Sequence, residues 1–168
     1  MIPGRPPAGR LLPVLLLTAW LIPSGPAAAV GQRPAPKLRT LVHDQPALDR
    51  LMGKHLLSLQ WISWRRFGTV EITDDRGLLV IKGEQRARRG DDYLKIDGII
   101  LEVGKRFFRF EGTIVTRVSY INEGKPCRRR GRFVFRITGK RKYWRLKQRD
   151  NPCDVAADYV DIYFARPR

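Results

Sequence analysis

The sequence predicts an all-β fold, an antiparallel up-and-down meander barrel of about eight strands with one short N-terminal helix; a β-sandwich is the alternative. Three observations lead there. From His55 onward, short runs rich in branched and aromatic residues are separated by brief turn sequences. Several of those runs alternate apolar and polar residues, the two-residue period of a half-buried strand. A single segment, near Asp44, carries helix punctuation. Successive hairpins favour a meander, and closure removes the edge strands that would invite association.

The elements follow in order. Gly31 to Lys37 (GQRPAPK) is polar and Pro-rich, the composition of a linker. A helix is expected over 44–52. Asp44 can cap it, Pro46 suits its first turn and Gly53 its end, with Leu48, Leu51 and Met52 as an apolar stripe. Leu56 to Trp64 (LLSLQWISW) reads as the first strand. Gly68 to Thr73 and Leu78 to Gln85 form a hairpin about the turn Asp74–Gly77. Arg86 to Asp91 is a charged loop. Asp92 to Val103 is a strand with a bulge or kink expected at Gly98. Gly104 to Arg106 turns the chain into a long strand, Phe107 to Ile121, with a break expected at Gly112. After the loop Asn122–Cys127, Arg132 to Ile137 and Arg141 to Lys147 form a second hairpin about Thr138-Gly139. Asp158 to Phe164 is the last strand.

Residues 1–29 read as a signal peptide. Arg5 and Arg10 are its positive start, Leu11 to Ile22 its apolar run, and Ala27-Ala28-Ala29 its cleavage pattern. The run is shorter than the roughly 20 apolar residues that a membrane span needs. An uncleaved signal anchor is the competing reading. Residues 30–54 are then linker and short helix, and 55–168 the barrel domain. The expected location is periplasmic or secreted. Two cysteines in an exported chain predict one disulfide, Cys127–Cys153, rather than two thiols. It would close a loop of about 27 residues and contribute roughly 3 kcal/mol by chain entropy.

A tryptophan in the first strand (Trp61 or Trp64) before Gly68-Thr69-Val70 resembles the lipocalin and avidin group of eight-stranded barrels. That resemblance covers about Leu56 to Phe164 and implies a barrel that can hold one ligand. Tyr143-Trp144-Arg145-Leu146, Asn151-Pro152-Cys153-Asp154 and Asp158 to Phe164 resemble an exported bacterial family of unassigned function. The second resemblance brings no activity with it.

Catalytic motifs are missing from the sequence. His43 and His55 are the only histidines, and neither Gly-x-Ser-x-Gly nor His-Glu-x-x-His occurs. No phosphate loop or dinucleotide glycine pattern is present, and no cofactor is expected. Glu84, Asp97, Glu102 and Glu111 could pair as acid and base across a barrel mouth, but solvation and salt bridging are the commoner roles of such groups. A hydrolase is therefore the third reading, behind two binding functions.

Charge supplies the leading one. The 33 Lys and Arg residues against 16 Asp and Glu leave a net charge of +17. Twelve cations and no acid lie between Lys125 and Arg149. Alternation puts Phe133, Phe135 and Ile137 on one face of that hairpin with Trp144 and Leu146. Arg128, Arg130, Arg132, Arg136, Arg141, Arg145 and Lys147 take the other. Like charges on neighbouring strands repel, so acids, solvent or an anionic partner must offset them. Asp161 could serve Arg145 or Arg136 if the last strand lies beside the hairpin. The rest form either a solvated face or a contact surface for anions, and the second is the functional reading. Interleaved arginine and aromatics suggest nucleic acid, but export argues against it. Phospholipid, lipopolysaccharide or wall polymer are the expected partners. The second reading is a small-ligand carrier whose pocket is lined by Trp61, Trp64, Phe110, Phe133, Phe135 and Trp144, with Phe108 and Tyr120 as further candidates. Aromatics at alternating strand positions are more often plain core.

Overall fold

Alternation and turn chemistry organise the chain into β1 (Leu41–Val42), α1 (Gln45–Leu51), β2 (Gly53–Leu59), β3 (Gly68–Asp75), β4 (Leu78–Arg86), β5 (Tyr93–Gly104), β6 (Phe107–Arg117), β7 (Cys127–Arg136), β8 (Tyr143–Leu146) and β9 (Val160–Tyr163). A computed structural model describes residues 38–164. The signal segment expected over 1–29 and the linker over 31–37 lie outside the described residues.

Strands β2 to β9 each pair antiparallel with the next, and β9 returns to β2. The result is a closed eight-stranded meander barrel, as the hairpin order predicts. Strand β1 adds in parallel to the end of β5, with Leu41 opposite Glu102, beyond the last residue that β4 covers. Helix α1 starts where its cap requires. The Asp44 carboxylate accepts from Ala47 N at 2.8 Å, and Pro46 occupies the first turn. Its buried face, Ala47 and Leu51, joins the barrel core. The β3–β4 turn depends on Arg76 and Gly77, both at positive φ, with Asp74 accepting from Gly77 N at 2.6 Å.

Four local expectations are corrected. The first strand ends at Leu59, so Trp61 and Trp64 lie in a loop. The ladder stops because β3 reaches only to Gly68, opposite Leu57, and the Gln85 side chain takes Leu59 N at 2.6 Å. Ser63 Oγ then accepts from Arg65 and Arg66 N and shapes the loop. Second, Gly98 is not a bulge; the irregularity falls between Ile100 and Glu102. Third, β6 runs unbroken through Gly112. Gly98, Gly112 and Gly131 face one another across β5, β6 and β7. A Cβ on Gly112 would stand 2.1 Å from the Asp97 carbonyl oxygen and one on Gly98 2.3 Å from that of Glu111, so these two need glycine for close backbone approach. Fourth, the seventh strand begins at Cys127 rather than Arg132, and β8 is short. Only Phe135–Leu146 and Arg136–Arg145 pair between β7 and β8. The connection over 137–142 is therefore wider than a two-residue turn.

The interior is filled by branched and aromatic side chains from every barrel strand, among them Leu57, Ile72, Ile81, Ile96, Phe110, Phe135, Leu146 and Ile162, each no more than 1% exposed. The antiparallel order sorts the connections by mouth. The β3–β4, β5–β6 and β7–β8 turns lie at the mouth that α1 enters. The β2–β3, β4–β5, β6–β7 and β8–β9 loops lie at the other.

Candidate functional site

Register carries a row of polar residues around the outer wall. Ser58 faces Asp161, Asp161 faces Arg145 and Arg145 faces Arg136, across β2, β9, β8 and β7. Arg145 grips Asp161 with both arms of its fork, Nε to Oδ1 at 2.7 Å and Nη2 to Oδ2 at 2.6 Å. The Asp161 hydrogen bond pushes the arginine pKa above its ordinary value. Although Asp161 points away from the core, it is 0% exposed. Neighbouring rings enclose the pair: Arg145 lies 4.6 Å from the Tyr159 ring centre and 5.2 Å from that of Tyr143. Tyr163 packs on Tyr143 and on Phe67, each at 5.1 Å, and burial pushes its phenol pKa up.

Beside this pair the wall opens into a concavity of about 310 Å³, lined by Arg136, Thr138, Arg141, Arg145, Leu146, Lys147, Arg149 and Tyr159. Of its five cations only Arg145 has a carboxylate partner among the described residues. A second concavity, about 660 Å³, lies at the α1 mouth. Arg50, Lys105, Arg106, Lys140, Arg141 and Lys142 line it with a single acid, Asp44. That acid is already engaged as the helix cap. Arg106 is held in place by the carbonyls of Ile137 and Gly139. Arg141 lines both concavities.

The arginines expected on the outer face are there, but they divide. Arg136, Arg141, Arg145 and Lys147 meet at the wall concavity. Arg128, Arg130 and Arg132 are exposed farther back along β7, and Arg132 pairs with Glu111 at 3.0 Å. Arg149 closes the basic run read from sequence, whereas Tyr159, Arg50, Lys105 and Arg106 escape that reading. Lys105-Arg106 reads only as a turn, and nothing local places it beside the 137–142 connection.

Arg129 is the other omission. It shares its strand face with Cys127, Phe133 and Phe135, and so points inward. Extending that two-residue parity back from Phe133 would have found it. Its Nη2 lies 3.2 Å from Asp158 Oδ2, and its Nη1 donates to the carbonyls of Gln148 and Asp150. Burial pushes the Asp158 carboxyl up and the Arg129 guanidinium down, while each charge opposes the other's shift. The predicted disulfide is present, and Cys127–Cys153 ties the same 147–159 loop to the start of β7.

Of the expected pocket aromatics, Phe110, Phe133, Phe135 and Trp144 come together with Phe108 in the barrel core, packed on one another, while Trp61 and Trp64 lie apart. Phe110 stacks on Phe133 at 5.1 Å and contacts Phe135 at 5.9 Å, while Phe108 contacts Trp144 at 6.0 Å. Trp64 is 53% exposed and lies outside the barrel. Trp61 meets Tyr120 at the far mouth, at 6.4 Å. Among the carboxylates, Glu84, Glu102 and Glu111 each hold an ion pair on the surface. Among the described residues no group of three His, Cys, Asp or Glu side chains is placed to hold a metal.

Comparison with known proteins places the chain. The model of the PM1083 family matches residues 39–164, which include every element described above. Uncharacterized protein PM1083 of Pasteurella multocida (strain Pm70) is 49% identical over 116 residues, 69% of this chain and 74% of its own length. No solved structure matches, so the likeness to lipocalins and avidins rests on strand order.

Proposed function

The chain belongs to the PM1083 family, and we propose that it is an exported, non-catalytic binding module that contacts an anionic partner of the cell envelope through the basic wall of β7 and β8. One observation carries the reading. Arg136, Arg141, Lys147 and Arg149 gather at a concavity without a carboxylate among them, around an Arg145 already locked to Asp161. Gathering unpaired like charges costs free energy, and a bound anion turns that cost into affinity. Arginine forks suit phosphate and carboxylate groups. At an anionic membrane surface each cation is worth roughly 1 kcal/mol, so these four would supply about 4 kcal/mol at low salt. Export is supported by the disulfide, which suits an oxidising compartment.

The test is a variant with Arg136, Arg141, Lys147 and Arg149 changed to Gln. Arg145 is left in place, because its loss would strand the buried Asp161 charge. Binding to vesicles of phosphatidylglycerol and to purified wall polymer should be lost, with the circular-dichroism spectrum and melting temperature retained. Wild-type binding should fall steeply as salt rises. Unchanged binding of the variant at low salt would overturn the reading. The carrier reading has less support, since a ligand inside the barrel would have to part the packed Phe108, Phe110, Phe133, Phe135 and Trp144 rings.

A further inference from the structure

Resting on that reading, we infer that the anion is a linear polymer with repeated charges, which runs from the wall concavity across Arg141 into the mouth concavity. The two depressions are neighbours, with Arg141 in the lining of both. Together they bring cations from four parts of the chain: Arg50 on α1, Lys105 and Arg106 between β5 and β6, the 140–142 turn, and the β7–β8–loop wall. The only acid in either lining, Asp44, has its carboxylate turned to the backbone of Ala47.

A single phosphate or carboxylate headgroup can engage two or three of these cations and leaves the rest repelling one another. A chain of such groups neutralises both clusters. Once its first charges sit on the wall, those that follow reach the mouth as an intramolecular event, at millimolar effective concentration. Rigidity favours the arrangement, because the cations are mounted on fixed backbone. Arg106 is held by the carbonyls of its facing turn, and the wall is backed by the Arg145–Asp161 pair. Arginine and lysine are mixed along the path, which suits a run of oxyanions rather than one stereospecific headgroup.

Polyphosphate of graded length is the probe, with tripolyphosphate as the short form, titrated at low salt and compared per phosphate. Wild-type protein should bind the long chain about 100-fold more tightly per phosphate than tripolyphosphate. Changing Lys105, Lys140 and Lys142 to Gln should abolish that length gain and leave tripolyphosphate binding within about threefold. A control with Arg65, Arg66 and Arg88 changed to Gln loses the same charge at the opposite mouth and should keep the gain. Equal affinity per phosphate for both lengths, or a gain that survives the mouth substitutions, overturns the bridging inference alone. Vesicle binding that long polyphosphate cannot displace overturns the polymer in favour of a lipid surface. Failure to bind polyphosphate, wall polymer and anionic vesicles alike overturns the anionic-partner reading beneath it.

Discussion

Changing Asp158 to Ala should destabilise the barrel by about 4 kcal/mol at pH 7, within the range measured when one member of a buried ion pair is removed. The site justifies that value. The Asp158 side chain is 1% exposed and that of Arg129 is 7%, so neither charge has solvent to fall back on. Without the carboxylate, the guanidinium keeps only the carbonyls of Gln148 and Asp150, at 3.0 and 3.4 Å. Those are neutral acceptors and cannot balance a full charge. Replacing both partners with apolar residues, Arg129→Met with Asp158→Leu, removes the stranded charge as well. The double variant should cost less, roughly 2 kcal/mol, for the two carbonyls left without a donor and the buried Asn151 amide left without its Asp158 acceptor. Urea denaturation at constant m-value measures all three proteins. The reasoning fails if Asp158→Ala costs less than about 1 kcal/mol, or if the double variant is damaged as much as Asp158→Ala.

Two further predictions concern stability. Removing the crosslink with Cys127→Ala and Cys153→Ala frees a loop of separation 26, which by chain entropy should cost about 3.5 kcal/mol and lower the melting temperature by roughly 10 °C; a reducing agent should do the same to wild type, and an unchanged melt would show the bond to be idle. Tyr163 should make wild type alkali-sensitive. Burial raises its folded pKa above the ordinary 10.0, so the unfolded chain loses that proton first. Its contribution is complete below pH 10.0 and is lost as pH rises through the folded value. Urea midpoints above that pH should fall more steeply for wild type than for Tyr163→Phe, and parallel slopes would contradict the assignment.

The legible and illegible parts of the chain differ in range. Arg76-Gly77 and the Asp44 cap act on their own neighbours, and both were readable. The parity of Phe133, Phe135, Trp144 and Leu146 was readable for the same reason. Trp61 and Trp64 read as strand because Leu56 to Trp64 is apolar almost throughout, without a phase that marks an end. The strand stops at Leu59 because of Gln85, a residue 26 positions later. Arg129 is hard to read from sequence because a cation on an inward face runs against composition, although it shares its parity with Phe133. Its partner Asp158 lies 29 residues away.

By itself, then, the sequence determined the all-β meander, the short capped helix, the disulfide and the outward face of the basic hairpin. Each follows from period-two alternation, turn residues or cysteine pairing, which act over a few residues or have only one possible mate. Tertiary structure alone decided between barrel and sandwich, chose Arg145 rather than Arg136 as the partner of Asp161, and brought Lys105 and Arg106 to Arg141 at one mouth. Those outcomes depend on which distant strands become neighbours, and barrel closure sets that for all eight strands at once.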